Sequence, residues 1–249
     1  MTTIWLVFWA AVLSDLATGL GVLPVVALKG DDPKWQGITA AVAGGMMLSA
    51  SIFALAEKAF DRGTALAVLA GMAAGALFVW LCAGVIGRRQ WHIAGLSEAA
   101  SRQSVLIVAT LFVHSIPEGV AIGVGYATGE LNFGLLLAIV IAVHNIPEGT
   151  AVAVPLRSNG ASAWRCAWYA ILTSLPQPLV AVPAFLLVSF VQPLLAPSLG
   201  FAAGAMIFLV VTEMIPESLR MCSRRQMGWS LTAGAPGMLG FISALEGAR

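Results

Sequence analysis

Charge is what this sequence has least of. Of 249 residues only 10% are Asp, Glu, Lys or Arg, 13 basic against 12 acidic, while 59% are hydrophobic and the mean hydropathy is +0.90. A water-facing domain carries about 25% charged residues, so this composition excludes an ordinary soluble enzyme. A formal net charge of +1 with no basic run excludes a nucleic-acid partner. Cysteine is scarce too. Cys82, Cys166 and Cys222 form an odd set without C-x-x-C spacing, which excludes a disulfide framework and a zinc ribbon. Apolar alternation of the β-barrel kind is absent, which leaves helices to pair the backbone within lipid. The expected fold class is an all-α integral membrane protein.

A spanning helix takes about 20 mostly apolar residues. The few charges divide the chain into eight such stretches, at 3–28, 37–57, 64–87, 104–127, 131–156, 164–192, 196–219 and 227–246. The eighth is the weakest, interrupted by Pro236, Gly237 and Gly240. The first lacks a basic n-region and is too long for a signal-peptide core, so it is expected to be retained. The loops are short, and residues 1–249 are expected to form a single transmembrane domain.

Eight spans put both termini on one side. That side holds three basic residues, Lys58, Arg62 and Arg249, whereas the other holds ten: Lys29, Lys34, Arg88, Arg89, Arg102, Arg157, Arg165, Arg220, Arg224 and Arg225. Positive charge accumulates on the cytoplasmic side, so both termini are expected outside the cytoplasm, with the loop after the third span within it. Trp5 and Trp9 fall near the outer face; Trp35, Trp80, Trp91, Trp164, Trp168 and Trp229 gather near the inner one. They are read as interfacial anchors.

A repeat carries the chemistry. The fourth span contains His114-Ser115-Ile116-Pro117-Glu118-Gly119 and the fifth His144-Asn145-Ile146-Pro147-Glu148-Gly149, offset by 30 residues. Consecutive spans run in opposite directions, so the pair predicts an inverted repeat with a site near the midplane. His and Glu at i and i+4 share a helix face. The intervening proline removes a donor and crowds the carbonyl four residues back, predicting a kink or opening. Two imidazoles and two carboxylates with an amide suit Zn²⁺, Fe²⁺, Mn²⁺ or Co²⁺. No Lys or Arg lies mid-span to balance the glutamates, and burying each acid costs about 2.5–3.5 kcal/mol on insertion scales. A bound divalent cation answers that cost, and protonation is the only other escape.

On these residues the chain resembles the ZIP (Zrt/Irt-like) divalent-metal transporters, specifically bacterial members with paired H-N-x-P-E-G motifs. The resemblance implies a two-metal centre between spans 2, 4, 5 and 6. His114, Glu118, His144 and Glu148 correspond to ligands of the primary site, Asn145 to a ligand of the second ion, and Met47 to a methionine lining the primary site. Two departures stand out. Ser115 replaces an asparagine, and Gln177 stands where the family often has a bridging glutamate, which predicts a second site that is weaker or empty. Gln177 is nonetheless expected to coordinate or to line the pathway. Glu213 matches an acidic exit-route position, with Thr212 where a histidine is frequent.

Asp15, midway along the first span, is a further pathway candidate because an intramembrane acid is costly without a use. Glu217, Glu57 and Asp61 are read as solvated helix ends, and His92 as a lone loop histidine. The expected function is divalent transition-metal transport into the cytoplasm, with zinc the foremost substrate and no cofactor. The resemblance adds movement of spans 1, 4, 5 and 6 as a block, and a homodimer. Small size and the lack of a targeting segment point to a bacterial inner (plasma) membrane. The competing class is an intramembrane metal-dependent hydrolase using the same ligands to activate water.

Overall fold

Backbone N–H and C=O groups of an apolar segment in lipid must pair within that segment. Accordingly, the computed structural model, which describes residues 2–27, 33–88, 98–158 and 160–247, is helical with no strand among the described residues. The chain runs α1 (Thr2–Gly19), α2 (Val22–Ala27), α3 (Pro33–Ser49), α4 (Glu57–Phe60), α5 (Ala65–Arg88), α6 (Glu98–Ala127), α7 (Leu131–Ser158), α8 (Ala163–Ser174), α9 (Pro176–Phe190), α10 (Leu195–Leu209), α11 (Ile215–Met221) and α12 (Arg224–Gly247). Among the described residues, six stretches are long and apolar enough to cross a membrane: Thr3–Ala27, Lys34–Phe60, Ala65–Ile86, Leu131–Ser158, Ala163–Phe190 and Gln192–Met221. Large apolar side chains cover their outer surfaces, Leu66, Phe190 and Trp164 among the most exposed. In water such a surface would drive aggregation; against lipid it is the matching one. The protein is an integral membrane protein.

The helices open where the motif prolines did not predict. α6 and α7 continue through Pro117 and Pro147. The breaks fall instead at Leu20–Gly21, between α1 and α2, and at Leu175, between α8 and α9. At Leu175 the reason is Pro176, which starts α9 at the position where a proline's missing N–H costs nothing. At Gly21 it is crowding: a Cβ there would overlap the backbone of Gly149 and Thr150. Two further irregularities are π-helical turns, Ala50–Ala56 joining α3 to α4 and Val210–Met214 joining α10 to α11. The second immediately precedes Pro216, whose ring crowds the carbonyl one turn back and is accommodated by a wider turn.

Close backbone approach sorts the helices into two bundles. Gly75 lies on Phe201 O and Gly204 on Met72 O, locking α5 to α10; Gly45 on Leu231 O and Gly234 on Val42 O lock α3 to α12. In the other bundle Gly123 lies on Ala181 O, joining α6 to α9, and Gly149 on Thr18 O, joining α7 to α1. Small residues of this kind let helices pack at backbone distance where lipid supplies no hydrophobic drive. Gly44 and Gly45 both make close contacts inside this first bundle, Gly44 against Val210 and Gly45 against Leu231. Between the bundles, α3 packs on α7 and α10 on α6 through side chains such as Met47, Ile122, Leu137, Ile141 and Met206. An ion pair links the two bundles. Arg62 Nη2 donates to both carboxylate oxygens of Glu130 at 3.0 Å, with its guanidinium 4.6 Å above the Phe133 ring, beside a cavity of ≈360 Å³ that Asp61 also lines.

The glycine contacts generate a paired expectation on one helix. Gly75→Val places side-chain atoms against the Phe201 carbonyl and is expected to cost about 1–3 kcal/mol. Gly84→Val meets nothing within 4 Å and is expected to be tolerated. Monodisperse yield and thermal denaturation in detergent check this; equal behaviour of the two variants would refute the packing account.

Candidate metal centre

The turn between α6 and α7 sets the register of the site. Gly129, at φ 82°, adopts the left-handed conformation the turn needs, and Tyr126 covers Gly134 while Leu137 meets Gly125. Carried inward along the two antiparallel helices, that register brings Glu118 opposite His144. His144 Nε2 lies 3.0 Å from Glu118 Oε1, and its Nδ1 lies 3.1 Å from the Val140 carbonyl oxygen. A carbonyl only accepts, so Nδ1 carries the proton and Nε2 of the neutral ring is left free to ligate. Glu148, one turn beyond His144, completes a group in which one ligand atom from each of Glu118, His144 and Glu148 lies within 4.8 Å of the others. Glu118 and His144 are fully buried and Glu148 is 4% exposed.

His114 is also buried, one turn before Glu118 on α6, but is not one of those three. The symmetry of the two motifs thus becomes an asymmetric cluster, with one residue from α6 and two from α7. The neighbouring polar side chains come from other helices. Gln177 Nε2 on α9 donates to Glu118 Oε2 at 2.5 Å, and Gln177 Oε1 accepts from Asn145 Nδ2 at 3.4 Å. Asn145 Nδ2 also donates to the Ser14 carbonyl at 3.0 Å. Ser115 turns its hydroxyl to the Thr173 carbonyl at 3.2 Å. Ser14, and the Thr18–Ser174 hydroxyl pair at 3.0 Å, went unnoticed in the sequence; their one signal was hydroxyl residues at i and i+4 flanking Asp15.

Oxygen atoms without hydrogen-bond partners mark the centre. Asp15 Oδ1, Asn145 Oδ1 and Glu148 Oε2 are buried and unpartnered, and Asp15 lies within electrostatic reach of Glu118. All three are acceptors, and among the described residues no Lys or Arg is buried. A cation is the species such an arrangement suits. Met47 is fully buried in the core packed between the bundles. Glu213 is partly buried on the π-turn of Val210–Met214, with Thr212 exposed beside it. Glu217 departs from the expected solvated helix end: it accepts a hydrogen bond from Gln36 Nε2 at 3.0 Å, tying α11 to α3. Trp5, Trp9, Trp80, Trp164 and Trp229 are well exposed. Trp91 and His92 lie outside the described residues.

Comparison with known proteins agrees with this chemistry. Residues 92–243 match the family model described as ZIP Zinc transporter. The zinc transporter GufA of Myxococcus xanthus is 35% identical over 256 residues, covering 95% of this chain and 95% of that protein. The zinc transporter ZIPB of Bordetella bronchiseptica is 34% identical over 245 residues, covering 92% of this chain and 78% of that protein. A longer Arabidopsis thaliana relative is 40% identical over 233 residues, which span 92% of this chain but only 37% of that protein. With the paired motif converging in a buried cluster and a near full-length match to GufA, the chain belongs to the ZIP family of metal transporters.

Proposed function

We propose that this protein carries divalent transition-metal ions, zinc foremost, across a membrane into the cytoplasm. The observation that carries the proposal is the convergence of Glu118, His144 and Glu148 in a buried core with no buried Lys or Arg to balance it. Two carboxylates neutralise one divalent ion, and His144 Nε2 supplies the nitrogen that favours a transition metal over calcium. In this reading His114, Glu118, His144 and Glu148 bind the ion, Met47, Asn145 and Gln177 line the site, Ser115 and Asp15 border the route, and Glu213 receives the ion on its way out. The relatives named above are zinc transporters, which supports the same substrate. The metal is the transported substrate, and no cofactor is invoked.

The architecture proposed with it has eight spans, adding α6 and α12 to the six, an inverted repeat about the motif pair, and both termini outside the cytoplasm. It is one transmembrane domain, in a bacterial inner membrane, embedded in lipid and paired as a homodimer. Movement of α1, α2, α6, α7, α8 and α9 as a unit would carry the site across. The glycine contacts favour it, since they join helices within each bundle and leave side chains between them. A hydrolase finds no support, since the relatives are named as transporters.

Uptake of Zn²⁺ and Cd²⁺ into proteoliposomes tests the function directly. Saturable uptake is expected, reduced at least about tenfold in Glu148→Ala and His144→Ala, because each removes an ion-binding group rather than a packing contact. Unchanged uptake in both folded variants would sink the assignment. Neutral imidazole and ionised carboxylate are the binding forms, so protons compete with the ion and apparent affinity is expected to fall as the outside pH is lowered from about 7.5 to 5.5. A flat profile would count against the ligand set. For topology, in a background lacking the native cysteines, Asp61→Cys should label with an impermeant thiol reagent in intact cells and Arg224→Cys only after permeabilisation. The reverse pattern would invert the orientation.

A further inference from the structure

We infer that the centre holds one divalent ion at a time, because an amide relay ending at Gln177 occupies the second oxygen of Glu118. The inference rests on the transport reading above and concerns how many ions that site takes. The relay has a defined polarity. Its first acceptor, the Ser14 carbonyl, cannot donate, so the side of the Asn145 amide facing it at 3.0 Å must be Nδ2. Nδ2 also reaches Gln177 at 3.4 Å, so the atom it meets there must be Oε1. The other end of the Gln177 amide is then Nε2, and it donates to Glu118 Oε2 at 2.5 Å. A backbone carbonyl on α1 thereby orients two amides on α7 and α9.

The consequence is chemical. An amide N–H is a donor with no lone pair to offer, so Gln177 presents to Glu118 a partial positive charge where a second cation would otherwise bind. Glu118 Oε1 is turned to His144, and Oε2 is held by Gln177, so the carboxylate faces the ion with one side only. The Ser115 hydroxyl donates to the Thr173 carbonyl at 3.2 Å, which engages its proton there. Asp15 is the remaining buried acid nearby, and it is not part of the group within 4.8 Å. Gln177 is thus a positioning residue: it fixes the Glu118 carboxylate and offsets part of its charge without ligating.

Counting retained ions decides the matter. Purified full-length protein in detergent is saturated with Cd²⁺, freed of excess ion and measured by elemental analysis against protein concentration. One ion per chain is expected for the wild type, none for Glu148→Ala, and two for Gln177→Glu, which replaces the donor with a third carboxylate. Two ions in the wild type would overturn the inference while leaving transport intact. One ion in a monodisperse Gln177→Glu would show that the amide is not what excludes the second. Where Gln177→Glu does not fold, Asn145→Asp asks the same question, since it breaks the relay and adds an acid; a count that stays at one again overturns it. No retained ion in the wild type would remove the transport reading itself.

Discussion

Everything in this protein answers to the cost of placing carboxylates where water is excluded. Glu118 is fully buried, Glu148 nearly so and Asp15 close behind, in a chain whose described residues bury no Lys or Arg. In a low-dielectric interior an acid must meet a cation or hydrogen-bond donors, or lose its charge. Glu118 receives a hydrogen bond from the Gln177 amide and faces the Nε2 of His144, and the amide is aimed by a relay from Ser14 through Asn145. That relay joins α1, α7, α9 and α6, the same helices whose backbones meet at Gly123 and Gly149. The polar centre and the apolar packing therefore specify one bundle.

The second bundle is held differently. α3, α5, α10 and α12 interlock through reciprocal glycine contacts and carry their irregularities as π-turns instead of breaks. A helix with a wider turn keeps its hydrogen bonds while shifting the face it presents. Glu217, tied to Gln36, fastens α11 to α3 within that bundle. Glu213 sits partly buried on its π-turn. Each bundle is knit by backbone approach, and the surface between the two is made of side chains such as Met47 and Ile141.

Much of this was legible without coordinates. Low charge and long apolar runs declared helices in a membrane, because a lipid-exposed backbone has few ways to pair itself. The paired His-x-x-x-Glu motif declared a cation site, because the buried acids had no other counter-charge in the chain. Both inferences use composition and spacing along one element, which tertiary context does not alter. The fixed identity of each residue sufficed there.

What only the tertiary structure decided concerns which atoms face which. Two near-identical motifs implied two matched halves, yet hairpin register selected Glu118 from α6 and both His144 and Glu148 from α7, leaving His114 outside the close group. Pro117 and Pro147 implied a kink or opening, yet α6 and α7 run through them, and the breaks lie at Gly21, packed on Gly149 and Thr150, and at Leu175, before Pro176. Gln177 in sequence was an amide able to coordinate through oxygen or donate through nitrogen. Its direction depends on Asn145, 32 residues away, and on the Ser14 carbonyl, 131 residues from Asn145. Sequence determines which groups are present; the polarity of a hydrogen-bond chain is settled only when distant acceptors are brought to its end.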